Sequence, residues 1–407
     1  MTSARDAEGA EKGAGPLAGL RVLDLSRYIA GPYAGQILGH LGADVVKVEE
    51  PGSGDPMRNL SKYSSAAGSA HYLSGNASKR SMTLDLRAPE GREILLRLLQ
   101  DCDVLIENFR PGVMDRLGLS HNRLTALNPR LVIASITGFG QTGPWRDWAA
   151  YDLIAQAIGG GMSLTGRPGE PPVKMGVPTG DLGASIYGVI GILAALMQRE
   201  RTQAGDVVDV SMMDVQLSLL NYHAHYFWMS GEEPVPEGDG HPNIVPYQTF
   251  ATLSGPMVVA VYGDPFWPGF CRAMGLDELE ADPRFRINKL RLENKPALLP
   301  ILAQRFASET REHWLERLLA EGVPVGPLHT VGEAVTSPQA MARGMTVTVA
   351  GPDGAPVNLL GQPLKFRTGR TEVALPPALG AQTDEVLANW AGCTPEEIAN
   401  LHAAGVV

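Results

Sequence analysis

Thr179-Gly180-Asp181-Leu182-Gly183 sets one carboxylate between glycines at the start of a long apolar run. Two roles suit it. As a helix N-cap, the aspartate would accept a hydrogen bond from a first-turn amide and favour the helix dipole. As a nucleophile, the same carboxylate could be approached closely past its glycine neighbours and attack an acyl carbon while first-turn amides steady the oxyanion. Spacing alone leaves both open. His223-Ala224-His225 has the spacing of two metal ligands on a strand, but on a helix the rings diverge by about 200°, and no metal site is expected. His241 stands in the loop Gly240-His241-Pro242-Asn243, where an imidazole is easily presented to a ligand. Other chemistries lack their motifs. The segment after the first strand, Asp24-Leu25-Ser26-Arg27-Tyr28-Ile29-Ala30-Gly31-Pro32, carries no G-x-G-x-x-G, and neither a P-loop nor a G-x-S-x-G occurs in the chain.

The elements that must position these residues read as repeated strand–helix–strand units. Leu20–Leu25 and Asp44–Val48 are strands flanking a helix from Ala30 to Leu41 that stops at Gly42. Ser81–Leu86, Asp103–Glu107 and Arg130–Thr137 continue the strands, with a helix over Pro89–Leu99, so the N-terminal part is expected to be a parallel α/β sheet. Gly138–Pro178 is rich in Gly and Pro, and Leu182–Gln198 is apolar on all sides, as in a helix buried in the core or against a partner subunit. Met212–Met229 reads as helix and Gly231–Gly240 as a linker. A second unit follows, with strands near Tyr247–Leu253 and Met257–Val261 and helices near Pro265–Met274, Lys295–Ala307 and Arg311–Glu321. A strand-rich piece, Thr346–Arg367, and two short helices end the chain.

Composition bounds the partners. Of 407 residues, 47 are Gly and 31 Pro, so turns are abundant, and 34 basic against 44 acidic residues give a net charge of -10. That charge argues against nucleic acid or an anionic membrane as partner, and any phosphorylated ligand must be held locally. Cys102, Cys271 and Cys393 form no C-x-x-C pair, which points to a reducing, cytoplasmic setting without disulfides. No stretch reaches the ~18 uninterrupted apolar residues of a membrane span, and residues 1–16 read as a disordered leader.

Several segments together resemble the family III coenzyme A transferases, the group of formyl-CoA and carnitine CoA-transferases. They are Leu17–Leu25 with Ala30-Gly31-Pro32, Leu41–Glu49, Pro51–Asp55, Asn76–Ser81, Asp103–Gly112, Gly180-Asp181 with its helix, and Leu379–Val407. The resemblance implies a Rossmann-like α/β large domain with a parallel sheet, built from residues 17–222 and 333–407. A smaller α/β domain, 223–332, is inserted, and two subunits interlock as a homodimer. It also implies that Asp181 is the nucleophile. Attack on an acyl-CoA gives a mixed anhydride and CoA thiolate, the thiolate returns to the aspartyl carbonyl, and the donor acid leaves an Asp181–CoA thioester for an acceptor carboxylate to reverse.

In the same way the resemblance assigns CoA to Arg27, Tyr28, Ile29, Ala30, Leu84, Arg87, Asn108, Phe109, Arg116 and Tyr151. No cofactor is bound permanently; CoA and acyl-CoA pass through as substrates. Arg87, Arg110 and Arg116 are expected to supply local positive charge. Glu50 stands where formyl-CoA transferase has a basic residue, and His241–Tyr247 replaces that enzyme's glycine-rich flap, which argues against formyl-CoA or oxalate as substrates. Arg27, Ile244–Gln248 and the ending Ala404–Val407 look most like the branch that moves CoA from succinyl-CoA to dicarboxylic acids such as glutarate. Arg27 or His241 would then hold the distal carboxylate. A racemase branch of the same fold uses a histidine where Tyr151 stands here, and a phenol with a free pKa near 10 is a poor proton shuttle at neutral pH.

Overall fold

The computed structural model describes residues 15–368 and 372–407; the expected leader lies outside them up to residue 14. Gly15 is not part of a leader but is buried, its Cα 2.8 Å from where a Cβ on Gly42 would stand. The described chain forms two compact units: residues up to Gly161 with Lys174–His225 and Pro338–Val407, and Met162–Val173 with Tyr226–Ser337.

The first unit is built on six parallel strands, β1 (Arg21–Asp24), β2 (Asp44–Glu49), β3 (Arg80–Thr83), β4 (Val104–Glu107), β5 (Val132–Thr137) and β6 (Val207–Ser211). Their spatial order is β3-β2-β1-β4-β5-β6, the doubly wound order, whose direction reverses between β1 and β4. Leu23 pairs with Val46 on one side and Leu105 on the other. Because side chains alternate across a strand, Leu23, Val46, Leu105 and Ile133 enter one core layer, and Val22, Val45, Ile106 and Ala134 enter the other.

Helices α1 (Ala30–His40), α2 (Pro89–Gln100), α3 (Asp152–Ile158) and α4 (Thr179–Thr202) join the strands. By length and mean hydropathy α4 alone among the described helices matches a membrane span. Its apolar residues have another use: Ala184, Ile192 and Ala195 lie in the core, and α4 packs on α1, β5 and β6. Gly191 permits that approach, since a Cβ there would fall 2.5 Å from Val208 Cγ1.

The free edge of β3 is sealed by the far end of the chain. Gln382 N donates to Ser81 O (2.9 Å), Ser81 N donates to Gln382 Oε1 (2.9 Å) and Thr83 N to Thr383 Oγ1 (3.0 Å). An antiparallel hairpin, Thr346–Ala350 with Pro356–Leu360, and helices Thr383–Asn389 and Pro395–Ala403 complete this unit. The single helix expected over Met212–Met229 is two, Met212–Leu219 and Tyr222–Ser230, separated where Asn221 turns left-handed (φ 50°).

The second unit has a three-stranded antiparallel sheet, β7 (Tyr247–Thr252), β8 (Gly255–Ala260) and β9 (Val325–Pro327), in the order β9-β8-β7. Helices α5 (Phe266–Met274), α6 (Lys295–Phe306) and α7 (Arg311–Ala320) cover it around Trp267, Phe270, Phe306 and Trp314.

Candidate active site

In a doubly wound sheet the crevice for a ligand opens at the C-terminal strand ends, where the strand order reverses. Here the loop after β1 occupies that point and is anchored on several sides. Lys47 Nζ, buried in a 2.8 Å ion pair with Asp55, donates to Ser26 O (2.8 Å). Asn108, just past β4, reads the Arg27 backbone twice: Arg27 N donates to Oδ1 (2.8 Å) and Nδ2 donates to Arg27 O (2.7 Å). Tyr28 N donates to Asp55 Oδ1 (3.4 Å), and Tyr28 is held at φ 69°. A bulky residue in the left-handed region costs about 1–3 kcal/mol and persists where its surroundings over-determine it. Beneath the loop Asp24 pairs with Lys79 at 2.8 Å, both fully buried. Burial pushes the Asp24 carboxyl up, but Lys79 and then Lys47 outweigh it and hold it below the usual carboxylate range.

A cavity of about 280 Å³ lies against this loop, lined by Arg27, Glu50, Leu84, Arg87 and Phe109 among others. Four of the residues assigned to CoA therefore share one space. The Arg27 guanidinium sits 5.9 Å from the Phe109 ring centroid, a cation–π distance. Arg87, however, brings little free charge, because it pairs with Glu50 (2.6 Å) and Asp85 (3.0 Å). Asn108 holds the loop with its amide rather than facing the cavity, and Arg116 is exposed outside the lining, between Val113 and Leu117, which do line it. Ile29 and Ala30 begin α1.

Asp181 occupies the third position of α4, and its side chain caps nothing; Pro178 is the N-cap. The capping carboxylate is Asp152, at the start of α3. Its Oδ1 accepts from Gly180 N (2.8 Å) and Asp181 N (3.3 Å), and its Oδ2 accepts from Gln156 Nε2 (2.7 Å). Gln156, fully buried, is fixed in turn by Met175 N, which donates to its Oε1 (3.0 Å). Two corrections follow: Asp181 is not a cap, and of the first-turn amides expected to steady an oxyanion, those of Gly180 and Asp181 are already taken by Asp152. Burial first, and the Asp152 charge second, push the Asp181 carboxyl up to about 7.

Ser185 Oγ lies 2.6 Å from Ala30 O and 2.8 Å from Asp181 O, so it ties the β1 loop to the turn that carries Asp181. Tyr28 and Tyr151 meet edge to face, with centroids 5.9 Å apart and planes at 80°. His241 belongs to the second unit, where Asn243 N donates to its Nδ1 (3.0 Å) and its ring leans on Tyr247. Asp152, Gln156 and Ser185 were not singled out in the sequence. No sequence signal pointed to Asp152, because Gly138–Pro178 reads as a Gly- and Pro-rich stretch, whereas a helix runs over Asp152–Ile158 within it.

Residues 17–383 match the model of CoA-transferase family III. The chain belongs to that family. A succinate–glutarate CoA-transferase of Agrobacterium fabrum is 37% identical over 380 residues, spanning 92% of this chain and 95% of the relative. An acetyl-CoA:oxalate CoA-transferase of Acetobacter aceti is 40% identical over 354 residues, 86% of this chain and 89% of the relative. Among solved structures, a CAIB/BAIF family protein from Brucella suis superposes with a TM-score of 0.84 at 38% identity, covering 93% of this chain and 100% of that one. As a family III member the protein is an enzyme of the CoA-transferase type, acting on CoA thioesters.

Proposed function

We propose that this CoA-transferase moves CoA from succinyl-CoA to a dicarboxylic acid through anhydride and thioester intermediates on Asp181. One observation carries the nucleophile: Asp181 is the poorly solvated carboxylate of the helix start that Ser185 joins to the loop of Arg27 and Ala30. Poor solvation suits the step, because an ionised carboxylate stripped of water is a stronger nucleophile. The cavity holding Arg27, Leu84, Arg87 and Phe109 supports a CoA site there, and Arg27 or His241 would receive the acceptor's distal carboxylate. The Agrobacterium relative's name supports a dicarboxylate acceptor. CoA is a substrate, with no cofactor held permanently and no metal. The enzyme works in the cytoplasm as an interlocked homodimer, with neither nucleic acid nor membrane as partner.

Incubation with succinyl-CoA followed by hydroxylamine should convert Asp181 to a hydroxamate detectable by peptide mass, and Asp181→Ala should abolish CoA exchange. An unlabelled Asp181 in active enzyme would overturn the mechanism. Assays over a panel of dicarboxylates identify the acceptor. Exchange of the α-proton with deuterated water in the absence of any acceptor would instead favour the racemase chemistry of the same fold.

A further inference from the structure

We propose that Gln156 is a positioning residue for the nucleophile: its side-chain amide joins Met175, where the chain has just returned from the second unit, to Asp152, and so sets the turn of α4 that carries Asp181. This rests on the reading of Asp181 as the residue that attacks the acyl-CoA.

Gln156 is fully buried on α3, and both ends of its amide are paired. Its Oε1 accepts from Met175 N (3.0 Å), and its Nε2 donates to Asp152 Oδ2 (2.7 Å). The two partners fix which end is which, because a backbone N–H can only donate and an ionised carboxylate can only accept. A side chain that bridges them at this length must offer an acceptor and a donor together. Glutamine does so; an ionised glutamate, a methionine or a leucine does not. A buried amide is costly unless both ends are paired, so its use in place of an apolar residue points to a task other than filling space.

Only Asp152 stands between this amide and the nucleophile's turn. Asp152 spends its other oxygen on Gly180 N (2.8 Å) and Asp181 N (3.3 Å), and its charge reaches the Asp181 carboxyl, where it adds to the upward push of burial. On the far side Met175 meets the start of α4 again. Thr179 Oγ1 donates to Met175 Sδ (3.2 Å), and Gln216 Nε2 donates to Thr179 Oγ1 (3.4 Å). The chain leaves for the second unit after Gly161, and a Cβ on Gly161 would stand 3.2 Å from Met175 Cε and 3.9 Å from Gln156 O. Departure and return are thus pressed together beside Gln156. Without the Gln156 donor the Asp152 carboxylate is free to turn, and the Gly180 and Asp181 amides that it holds turn with it. A misplacement of about 1 Å at a reacting group costs up to roughly a hundredfold in rate. The loop of Arg27 is held separately, by Asn108, so the amide bears on attack and not on the seating of acyl-CoA.

Two variants test the assignment. Gln156→Met removes both ends of the bridge. Gln156→Glu keeps the acceptor for Met175 N and offers Asp152 a donor only while its new carboxyl is protonated. Each enzyme is mixed with succinyl-CoA, and the rate at which Asp181 becomes reactive to hydroxylamine is followed in a single turnover, with KM for succinyl-CoA and thermal unfolding measured alongside. In Gln156→Met the rate at saturating succinyl-CoA should fall roughly tenfold while KM stays within about twofold. In Gln156→Glu the rate, taken as a ratio to the wild type at each pH, should approach one in acid and fall as pH rises, because two facing carboxylates repel once both are ionised. A Gln156→Met rate within about twofold of the wild type overturns the role of Gln156, as does a loss that resides in KM alone. So does a Gln156→Glu ratio that does not change with pH, which is the mark of a purely structural residue. Should Gln156→Met not fold, Gln156→Glu decides; if neither folds, the amide serves the fold and the assignment falls. Failure of wild-type Asp181 to label is a separate result that removes the nucleophile reading itself.

Discussion

At the scale of single residues, the informative group is a carboxyl near the middle of the working pH range. Asp181 must be ionised to attack, so with its pKa raised to about 7, kcat/KM for the acyl-CoA half-reaction should climb as pH passes through that value. Asp152→Asn keeps an oxygen to accept from Gly180 N and Asp181 N but removes the charge. The acid limb should move to lower pH, and the variant should outperform the wild type on that limb; an unmoved limb in the pH profile would count against Asp152 as a cause. The same shift has a stability consequence of fixed sign. Between about pH 4 and 7 the folded state binds the proton that the unfolded state has released, so this group's contribution to stability falls as pH rises through that window. Asp181→Asn should therefore be more stable to unfolding than the wild type at pH 8, by on the order of 2 kcal/mol, and the gap should close near pH 4. Beside the cavity, Glu50 competes for Arg87 at 2.6 Å. Glu50→Gln should lower KM for acyl-CoA roughly two- to fivefold, with the gain shrinking as salt is added.

Elements decide how near those residues can come. A Cβ on Gly180 would stand 3.0 Å from Asp152 Oδ1 and 3.2 Å from Ala155 Cβ, so Gly180→Ala should push α3 and α4 apart. The expected outcome is a drop in kcat of about tenfold or more with at most about 1 kcal/mol lost in thermal unfolding, because the cost falls on geometry more than on packing. Legibility from sequence divides along the same line. β1, β2 and β4 were readable because their apolar runs are local facts, and α1 because Ala30-Gly31-Pro32 opens it and Gly42 ends it. The cap of α4 was not, since its acceptor, Asp152 Oδ1, lies on another helix, 28 residues before Gly180 and 29 before Asp181. Nor was the spent charge of Arg87, which depends on Glu50 across the gap between two strand ends. Asp181 itself was visible as a carboxylate between glycines, but only tertiary contact distinguishes a cap from a group that is capped.

For the whole molecule, α4 contributes to the core on one side and leaves Ile186 49%, Ile190 55% and Met197 70% exposed on the other. Next to it an apolar groove of about 530 Å³ runs between Tyr33, Ile37, Ile190 and Leu360. Apolar surface of that kind supports the proposed homodimer. Light scattering after size exclusion should return twice the chain mass, and Ile190→Arg should shift it toward one chain mass with loss of activity; a wild-type monomer with full activity would refute the dimer.

Gln382 and Thr383, which close the edge of β3, are made some 300 residues after the strand that they cover. Until Gln382 and Thr383 have been made, Ser81 and Thr83 present an open strand edge of the kind that recruits other chains. Stop codons placed just before Gln382 should therefore yield aggregates in a translation assay, whereas stops placed after the helix Pro395–Ala403 should not. The arrival of Gln382 and Thr383, and not the assembly of β1 to β6 alone, is the moment at which this enzyme becomes safe from its own kind.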